Sequence, residues 1–145
     1  MTIISKSALV PYTPAQMFAL VDDIEAYPQF LPWCKQAEVL SRNEDEVRAT
    51  LELSKGGVEK SFTTRNLNQK DKMIEIRLVN GPFKRLDGYW RFDRLGDEGC
   101  KISLDLEFEF SSRMLGMVVG PVFSQIANSL VDAFMQRAKD VYGGR

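Results

Sequence analysis

The sequence predicts an α+β domain in which a curved antiparallel sheet of about seven strands packs around one long C-terminal helix. Two patterns support this prediction. Between Cys34 and Phe110, apolar residues recur at every second position, in runs separated by turn sequences. In residues 114–142 they recur at helical spacing instead. A sheet and a helix with one apolar face each can bury both faces by packing together, which is a helix-grip arrangement.

The N-terminal part of the chain predicts a strand followed by two short helices. Residues 3–10 form the strand, which Pro11 ends because proline cannot donate a backbone hydrogen bond to a sheet. Thr13 and Pro14 are residue types that favour a helix N-cap and a first helical position. Residues 27–33 place four large apolar side chains around two prolines, which predicts a compact helical turn anchored by aromatic rings.

Turn sequences divide residues 34–110 into six further strands. They fall at residues 42–45, 56–57, 69–72, 80–82 and 96–99. The clearest strand covers residues 100–110, where apolar residues alternate with charged and small polar ones, so that one face is buried and the other is wet. Strands joined by short turns form an antiparallel meander. The first strand is then left to pair far along the chain and to curve the sheet.

The last element is an amphipathic helix over residues 114–142. Its apolar face carries Val119, Phe123, Ile126, Leu130, Phe134, Ala138 and Val141. Residues 114–131 carry no charge, but Gly116, Gly120 and Pro121 interrupt the apolar run, so we expect no transmembrane span. Pro121 is expected to bend this helix or to mark its beginning.

Composition bounds the class of protein. The 145 residues include 44% hydrophobic and 27% charged residues, which fits one soluble domain spanning residues 1–145. Histidine is absent, which excludes Ser-His and Cys-His nucleophiles and imidazole metal ligands. Cys34 and Cys100 are too far apart for a Cys-x-x-Cys motif, so we expect no metal. The N-terminus lacks the pattern of a secretory signal, which predicts a cytoplasmic location.

Carboxylates are the remaining candidates for acid–base catalysis. Asp22, Asp23 and Glu25 form the densest group, but solvated charge at the end of a short helix is the simpler interpretation. Asp105, Glu107 and Glu109 share the wet face of their strand, where they pair with basic residues. We therefore expect no catalytic residue and a protein that is not an enzyme.

Several segments resemble one known family in order and spacing. They are Val-Asp-Asp-Ile at residues 21–24, Tyr-Pro-Gln-Phe-Leu-Pro-Trp-Cys at 27–34, Phe-Thr-Thr-Arg-Asn at 62–66, Asn-Gly-Pro-Phe-Lys at 80–84 with Gly88 and Trp90, and Phe-Glu-Phe at 108–110. Together they resemble the coenzyme Q-binding START-domain family of the SRPBCC superfamily, across essentially the whole chain. The chain is most similar to the family's bacterial ribosome association toxins. The resemblance implies a START-like helix-grip fold.

The resemblance implies two different functions. Mitochondrial members bind ubiquinone and support cellular respiration, which leads us to expect an isoprenoid ligand in a cavity under the C-terminal helix and no further cofactor. Some bacterial members are described as binding the large ribosomal subunit and blocking its association with the small one, which inhibits translation. That alternative implies the ribosome as a partner, together with a small antitoxin-like protein. The family also carries a polyketide cyclase label.

Inward-facing apolar residues are the candidate walls of the cavity. They are Trp33, Phe62, Phe83, Trp90, Phe108, Phe123, Ile126, Leu130 and Phe134, although plain core is the simpler explanation for each one taken singly. A quinone head group also needs a hydrogen-bond donor, and the candidates are Arg65, Arg77 and Tyr89. Gly88, Gly116 and Gly120 are expected to leave room for a ligand.

Two surfaces have alternative interpretations. Residues 27–33 form a hydrophobic plug, or else a lid over the cavity mouth or a surface that inserts at a lipid interface in peripheral membrane contact. Lysines and arginines in adjacent strands form a strip that faces RNA phosphates, or else a mixed, solvated sheet surface, because acidic residues are interspersed. The strip comprises Lys55, Lys60, Arg65, Lys70, Lys72, Arg77, Lys84, Arg85, Arg91 and Arg94.

Overall fold

Seven strands and two α-helices account for most of the chain in a computed structural model that describes residues 1–143. Strand β1 (Thr2–Val10) leads to helix α1 (Pro14–Asp22) and a 3-10 helix (Ile24–Gln29). The sheet continues with β2 (Cys34–Arg42), β3 (Glu46–Lys55), β4 (Val58–Gln69), β5 (Met73–Asn80), β6 (Phe83–Leu95) and β7 (Gly99–Phe110). Helix α2 (Arg113–Tyr142) closes the chain.

The sheet is antiparallel throughout, in the order β1-β7-β6-β5-β4-β3-β2. Strands β2 to β7 are a meander, and all five predicted turns separate them. Strand β1 pairs with β7, with Thr2 opposite Phe108 and Val10 opposite Cys100. The predicted seven strands and the distant pairing of the first strand are therefore confirmed.

Local capping interactions begin both α-helices. The Thr13 hydroxyl accepts a hydrogen bond from the backbone N–H of Gln16, whose side-chain oxygen accepts one from the N–H of Thr13. This capping box satisfies two backbone donors that have no partner within the helix. The Ser112 hydroxyl accepts from the N–H of Leu115 in the same way. Helix α2 therefore begins at Arg113, and Pro121 lies inside it rather than at its start.

The inner face of α2 packs across the concave side of the sheet. Its buried residues are Val119, Phe123, Ile126, Ala127, Val131, Phe134 and Ala138. By length and composition, α2 is the one helix in residues 1–143 that could cross a membrane, and 28% of its most apolar window is buried. Here its buried face forms the core with the sheet.

Gly88 has a different role from the one its sequence position predicts. A Cβ atom at Gly88 would lie 2.1 Å from the carbonyl oxygen of Asp105 and 2.8 Å from the Cα of Leu106, both on the neighbouring strand β7. The absent side chain makes room for protein backbone, not for a ligand. Gly116 and Gly120 likewise face the ring of Phe110, outside the internal cavity.

Replacing Gly88 should therefore destabilise the fold strongly. We expect Gly88→Ala to lower the free energy of unfolding by about 3 kcal/mol or more, because the clash is with backbone that side-chain rotation cannot relieve. Gly116→Ala is the matched control. Its Cβ would lie 4.0 Å from Phe110, so we expect a gain of about 0.5–1 kcal/mol from helix propensity. Urea denaturation measures both, and equal stabilities for the two variants would contradict this account.

Candidate ligand cavity

An apolar cavity of about 100 Å³ lies between the concave face of the sheet and α2. It lies where the main core clusters meet, one around Phe123 and Phe108 and the other around Phe134 and Trp90. Small side chains leave the space, since Ala49 on β3 and Ala127 on α2 both line it.

Seven of the nine apolar residues predicted as cavity walls line this cavity. They are Trp33, Phe62, Trp90, Phe123, Ile126, Leu130 and Phe134. Phe83 and Phe108 lie in the adjoining core, where their rings pack against Phe123 at centroid distances of 5.0 and 4.7 Å. The walls that were not predicted are mostly smaller aliphatic residues, such as Ile74, Ile76 and Leu106.

The three predicted polar contacts do not reach the cavity. Arg65, Arg77 and Tyr89 lie on the outer face, because side chains alternate along a strand and their neighbours Thr64, Ile76 and Trp90 face inward. Arg65 Nε lies 3.3 Å from Glu46 Oε1, Arg77 pairs with Glu75, and the guanidinium of Arg91 stacks 4.5 Å from the ring centre of Tyr89.

Thr64 and Asn66 are the polar residues of β4 that face the cavity instead. The Thr64 hydroxyl donates to Asn66 Oδ1 over 3.2 Å, and the Asn66 amide group carries two further donors. The sequence could have predicted that Thr64 and Asn66 face the cavity, because both lie on the same strand face as Phe62.

Trp33 brings the most unusual polar group to the cavity wall. Its side chain is 6% exposed, and its indole Nε1 is buried with no hydrogen-bond partner among residues 1–143. The backbone is held in place, because the Trp33 carbonyl accepts from the N–H of Ser54 over 2.8 Å. A buried donor without a partner costs about 1–3 kcal/mol, so the protein retains this N–H at a cost to its stability.

Residues 27–33 seal the cavity against α2. The ring centres of Tyr27 and Phe30 lie 5.6 and 5.3 Å from that of Phe134, and Trp90 packs on the same ring at 5.3 Å. Arg137 on α2 adds a cation–π contact with Phe30 at 4.7 Å. We call the contact of Tyr27 and Phe30 with Phe134 the aromatic seam. It matches the predicted plug, and it lies where a lid would have to open.

The carboxylates considered for catalysis lie outside the cavity. Asp22 joins α1 to the sheet, because its carboxylate accepts from Arg42 Nη1 at 3.0 Å and from Asn68 Nδ2 at 3.0 Å. Asp23 and Glu25 are exposed. Tyr27 is the one titratable residue on the cavity wall within residues 1–143. Burial, and then the Asp22 carboxylate, raise the pKa of this phenol far above its ordinary range.

Three of the ten residues of the predicted basic strip form ion pairs with carboxylates of residues 1–143, namely Arg65, Arg77 and Arg85. Arg85 bridges Asp87 and Glu107 at 3.1 and 3.4 Å. Positive charge is nevertheless concentrated at one place, since Arg48, Arg65 and Arg77 lie directly opposite one another on β3, β4 and β5. In residues 1–143, no three His, Cys, Asp or Glu side chains come together as a metal site.

Comparison with known proteins identifies the family. Residues 10–135 match the model of the family described as polyketide cyclase / dehydrase and lipid transport. The chain belongs to this family. Among its relatives, the ribosome association toxin RatA of Pseudomonas aeruginosa is 47% identical over 98% of this chain and 99% of its own length. RatA of Escherichia coli is 44% identical over 98% of this chain and 90% of its own.

More distant relatives and structural neighbours carry different names. The mitochondrial coenzyme Q-binding protein coq10 of Schizosaccharomyces pombe is 25% identical over 92% of this chain and 84% of its own length. A START superfamily protein from Mycobacterium smegmatis superposes with a TM-score of 0.79, at 23% identity, over 96% of this chain and 98% of that one. The Zhui aromatase/cyclase of a Streptomyces species superposes with a TM-score of 0.85, at 16% identity, over 99% of both chains.

These similarities confirm the START-like helix-grip fold. They also confirm the family resemblance from which that fold was predicted. The relatives that are 44–47% identical are named as toxins rather than as enzymes, whereas the aromatase/cyclase shares the fold. Fold alone does not determine whether a family member catalyses a reaction.

The two cysteine thiols test how well the core excludes water. Cys34 and Cys100 are 4% and 0% exposed, and burial raises the pKa of each to about 11 from an ordinary value of 9.0. Unfolded thiols therefore ionise first as pH rises, and stability from these groups is lost between about pH 9 and pH 11.

We expect both thiols to resist a disulfide reagent at pH 8 in the folded protein and to react at once in urea, because the thiolate is the nucleophile. The double variant Cys34→Ala, Cys100→Ala should lose less unfolding free energy than the native protein between pH 9 and pH 11. An identical pH dependence of the two proteins would contradict the assignment.

Proposed function

We propose that this protein binds a hydrophobic isoprenoid molecule, with ubiquinone as the best candidate, in the cavity under α2 and performs no covalent chemistry. The observation that carries the proposal is an apolar cavity whose wall holds a buried donor without a partner, Trp33 Nε1. Such a wall suits a ligand that is mostly hydrocarbon and has a few acceptor atoms. The family's lipid transport description and the coenzyme Q-binding relative support this choice, with a role in respiration.

Quinone carbonyl oxygens are acceptors that match the donors of the cavity. Trp33 Nε1 can donate to one without losing an existing hydrogen bond. Asn66 on β4 adds the amide donors, since its Oδ1 accepts from the Thr64 hydroxyl and its amide N–H groups remain available. The isoprenoid tail would lie along the apolar residues of α2, where Ile126 and Leu130 line the wall.

The volume of the cavity decides how such a ligand can enter. At about 100 Å³ it is well below the roughly 300–1,000 Å³ of typical ligand pockets. Binding therefore requires the walls to move apart. The aromatic seam is the place we propose for this opening, because it joins a short 3-10 helix, rather than a sheet strand, to α2.

The chemistry of the wall favours binding over catalysis. A cyclase needs a positioned acid or base with a pKa near the working pH. Tyr27 donates its hydroxyl hydrogen to the carbonyl of Val21, and its raised pKa keeps the phenol protonated. The proposal places the protein in the cytoplasm, with a hydrophobic small molecule as its ligand.

The first experiment is native mass spectrometry of the purified protein, with organic extraction of any bound molecule. We expect an isoprenoid quinone, and titration of the stripped protein with ubiquinone should be saturable. Trp33→Phe should weaken quinone binding about five- to tenfold, the worth of one buried hydrogen bond.

Trp90→Phe is the matched control, since it also replaces an indole at the cavity wall with a phenyl ring, but Trp90 Nε1 is not among the fully buried polar atoms that lack a partner. It should bind quinone within about twofold of the native protein. An empty protein that no quinone saturates would contradict the proposal. Equal losses in the two variants would remove Trp33 as the donor.

A second candidate function is association with the large ribosomal subunit, which would block subunit joining and inhibit translation. The observation that favours it is the 47% identity with RatA, because the alignment spans almost the whole of both chains. A small antitoxin-like protein would be a further partner of this function.

The row of Arg48, Arg65 and Arg77 is the surface we propose for ribosomal RNA. Like charges directly opposite one another destabilise a sheet, and among residues 1–143 only Glu46 and Glu75 pair with these three arginines. The side chains are 46%, 42% and 51% exposed, so phosphates can reach them. Phosphate contacts would relieve the repulsion.

Co-sedimentation with purified large subunits tests this candidate. Arg65→Gln should weaken binding and reduce the slope of log affinity against log salt by about one, the effect of one lost phosphate contact. Lys139→Gln, on the exposed side of α2, is the control and should leave the slope unchanged. Absence of co-sedimentation at low salt would exclude ribosome binding, and an unchanged slope in Arg65→Gln would exclude this surface.

A further inference from the structure

The first turns of α2 present an apolar stripe to solvent. Met114, Met117 and Val118 are 76%, 75% and 59% exposed. Pro121 is also exposed. The four residues are spaced i, i+3, i+4 and i+7, so their side chains lie on one side of the helix. Single exposed apolar residues are ordinary, but a contiguous patch indicates an interaction surface. We call these four residues the α2 stripe.

Positive charge lies beside this stripe. A groove of about 700 Å³ runs along it, between the start of α2, the end of β7 and Met1. The charged side chains of the groove are Lys84 and Arg113, against the single carboxylate of Glu109. Helix α2 carries no acidic residue before Asp132. The end of the molecule therefore combines apolar side chains with a local excess of positive charge.

We propose that this end of the molecule docks on the surface of an anionic lipid bilayer. The α2 stripe would enter the boundary between head groups and acyl chains, and Lys84 and Arg113 would lie among lipid phosphates. The helix would lie at the membrane surface rather than span it, because Phe123 and Phe134 hold its other face in the core. This inference does not depend on which molecule fills the cavity.

Two other occupants fit the surface less well. RNA phosphates would satisfy the positive groups, but they would leave the methionines in water. A second copy related by two-fold symmetry would bring the same patch, with its excess of positive charge, against itself. The small residues Gly116 and Gly120 could let two helices approach closely, but they already lie against Phe110. A Cβ atom at these positions would be 4.0 and 3.8 Å from the Phe110 side chain.

Flotation with phosphatidylcholine vesicles, with and without phosphatidylglycerol, tests the proposal on the full chain. We expect binding to the anionic vesicles that weakens as salt is raised. Met117→Glu should lower the partition coefficient about tenfold or more, because it removes an apolar contact and adds repulsion. Since Met117 is exposed, the variant should keep the native circular dichroism spectrum and unfolding midpoint.

Leu9→Glu is the matched control, with the same change of charge at an apolar residue that is 69% exposed on β1, at the end opposite the start of α2. It should partition within about twofold of the native protein. Absence of binding to anionic vesicles at low salt would overturn the proposal, and so would equal losses in both variants. Loss of large-subunit binding in Met117→Glu, without vesicle binding by the native protein, would overturn it in favour of a ribosomal contact.

Discussion

Burial of the inner face of α2 against a concave sheet is the interaction on which the rest of the structure depends. Two rings from this helix organise the core, since Phe123 packs among Phe62, Phe83 and Phe108, and Phe134 packs among Tyr27, Phe30 and Trp90. The sheet can curve around them because β1 closes onto β7 and Gly88 lets the backbones of β6 and β7 approach closely.

The cavity is a consequence of the same arrangement. Each of the two rings gathers its own cluster of side chains, and small residues such as Ala49 and Ala127 lie where the clusters meet. A site built in this way has a rigid rear wall of strands and a front wall that includes a short 3-10 helix. Under the proposed function, selectivity would come from a few polar atoms, among them the buried and unpaired Trp33 Nε1.

Much of this architecture could be predicted because local pattern and long-range burial agree. Residues 100–110 alternate so regularly that only one strand face can be buried, and Phe108 falls on that face as expected. The predicted polar contacts were chosen for their chemistry, without regard to the strand face on which each side chain lies. Arg65, Arg77 and Tyr89 are suitable donors, but strand alternation turns them outward. The tight contact at Gly88 depends on the backbone of β7, and the missing partner of the Trp33 N–H depends on which groups surround it in the fold. Neither is visible in a local sequence pattern.

The pairing of β1 with β7 has a consequence for the time course of folding. The first strand to leave the ribosome must wait for the last strand of the sheet, since Ser5 bonds to Asp105, a hundred positions along the chain. Until then the core lacks both an edge strand and α2, and the apolar faces of the meander remain exposed. Such long-range closure slows folding and favours association of partly folded chains. The native state of this domain therefore forms only after β7 and α2 have been synthesised.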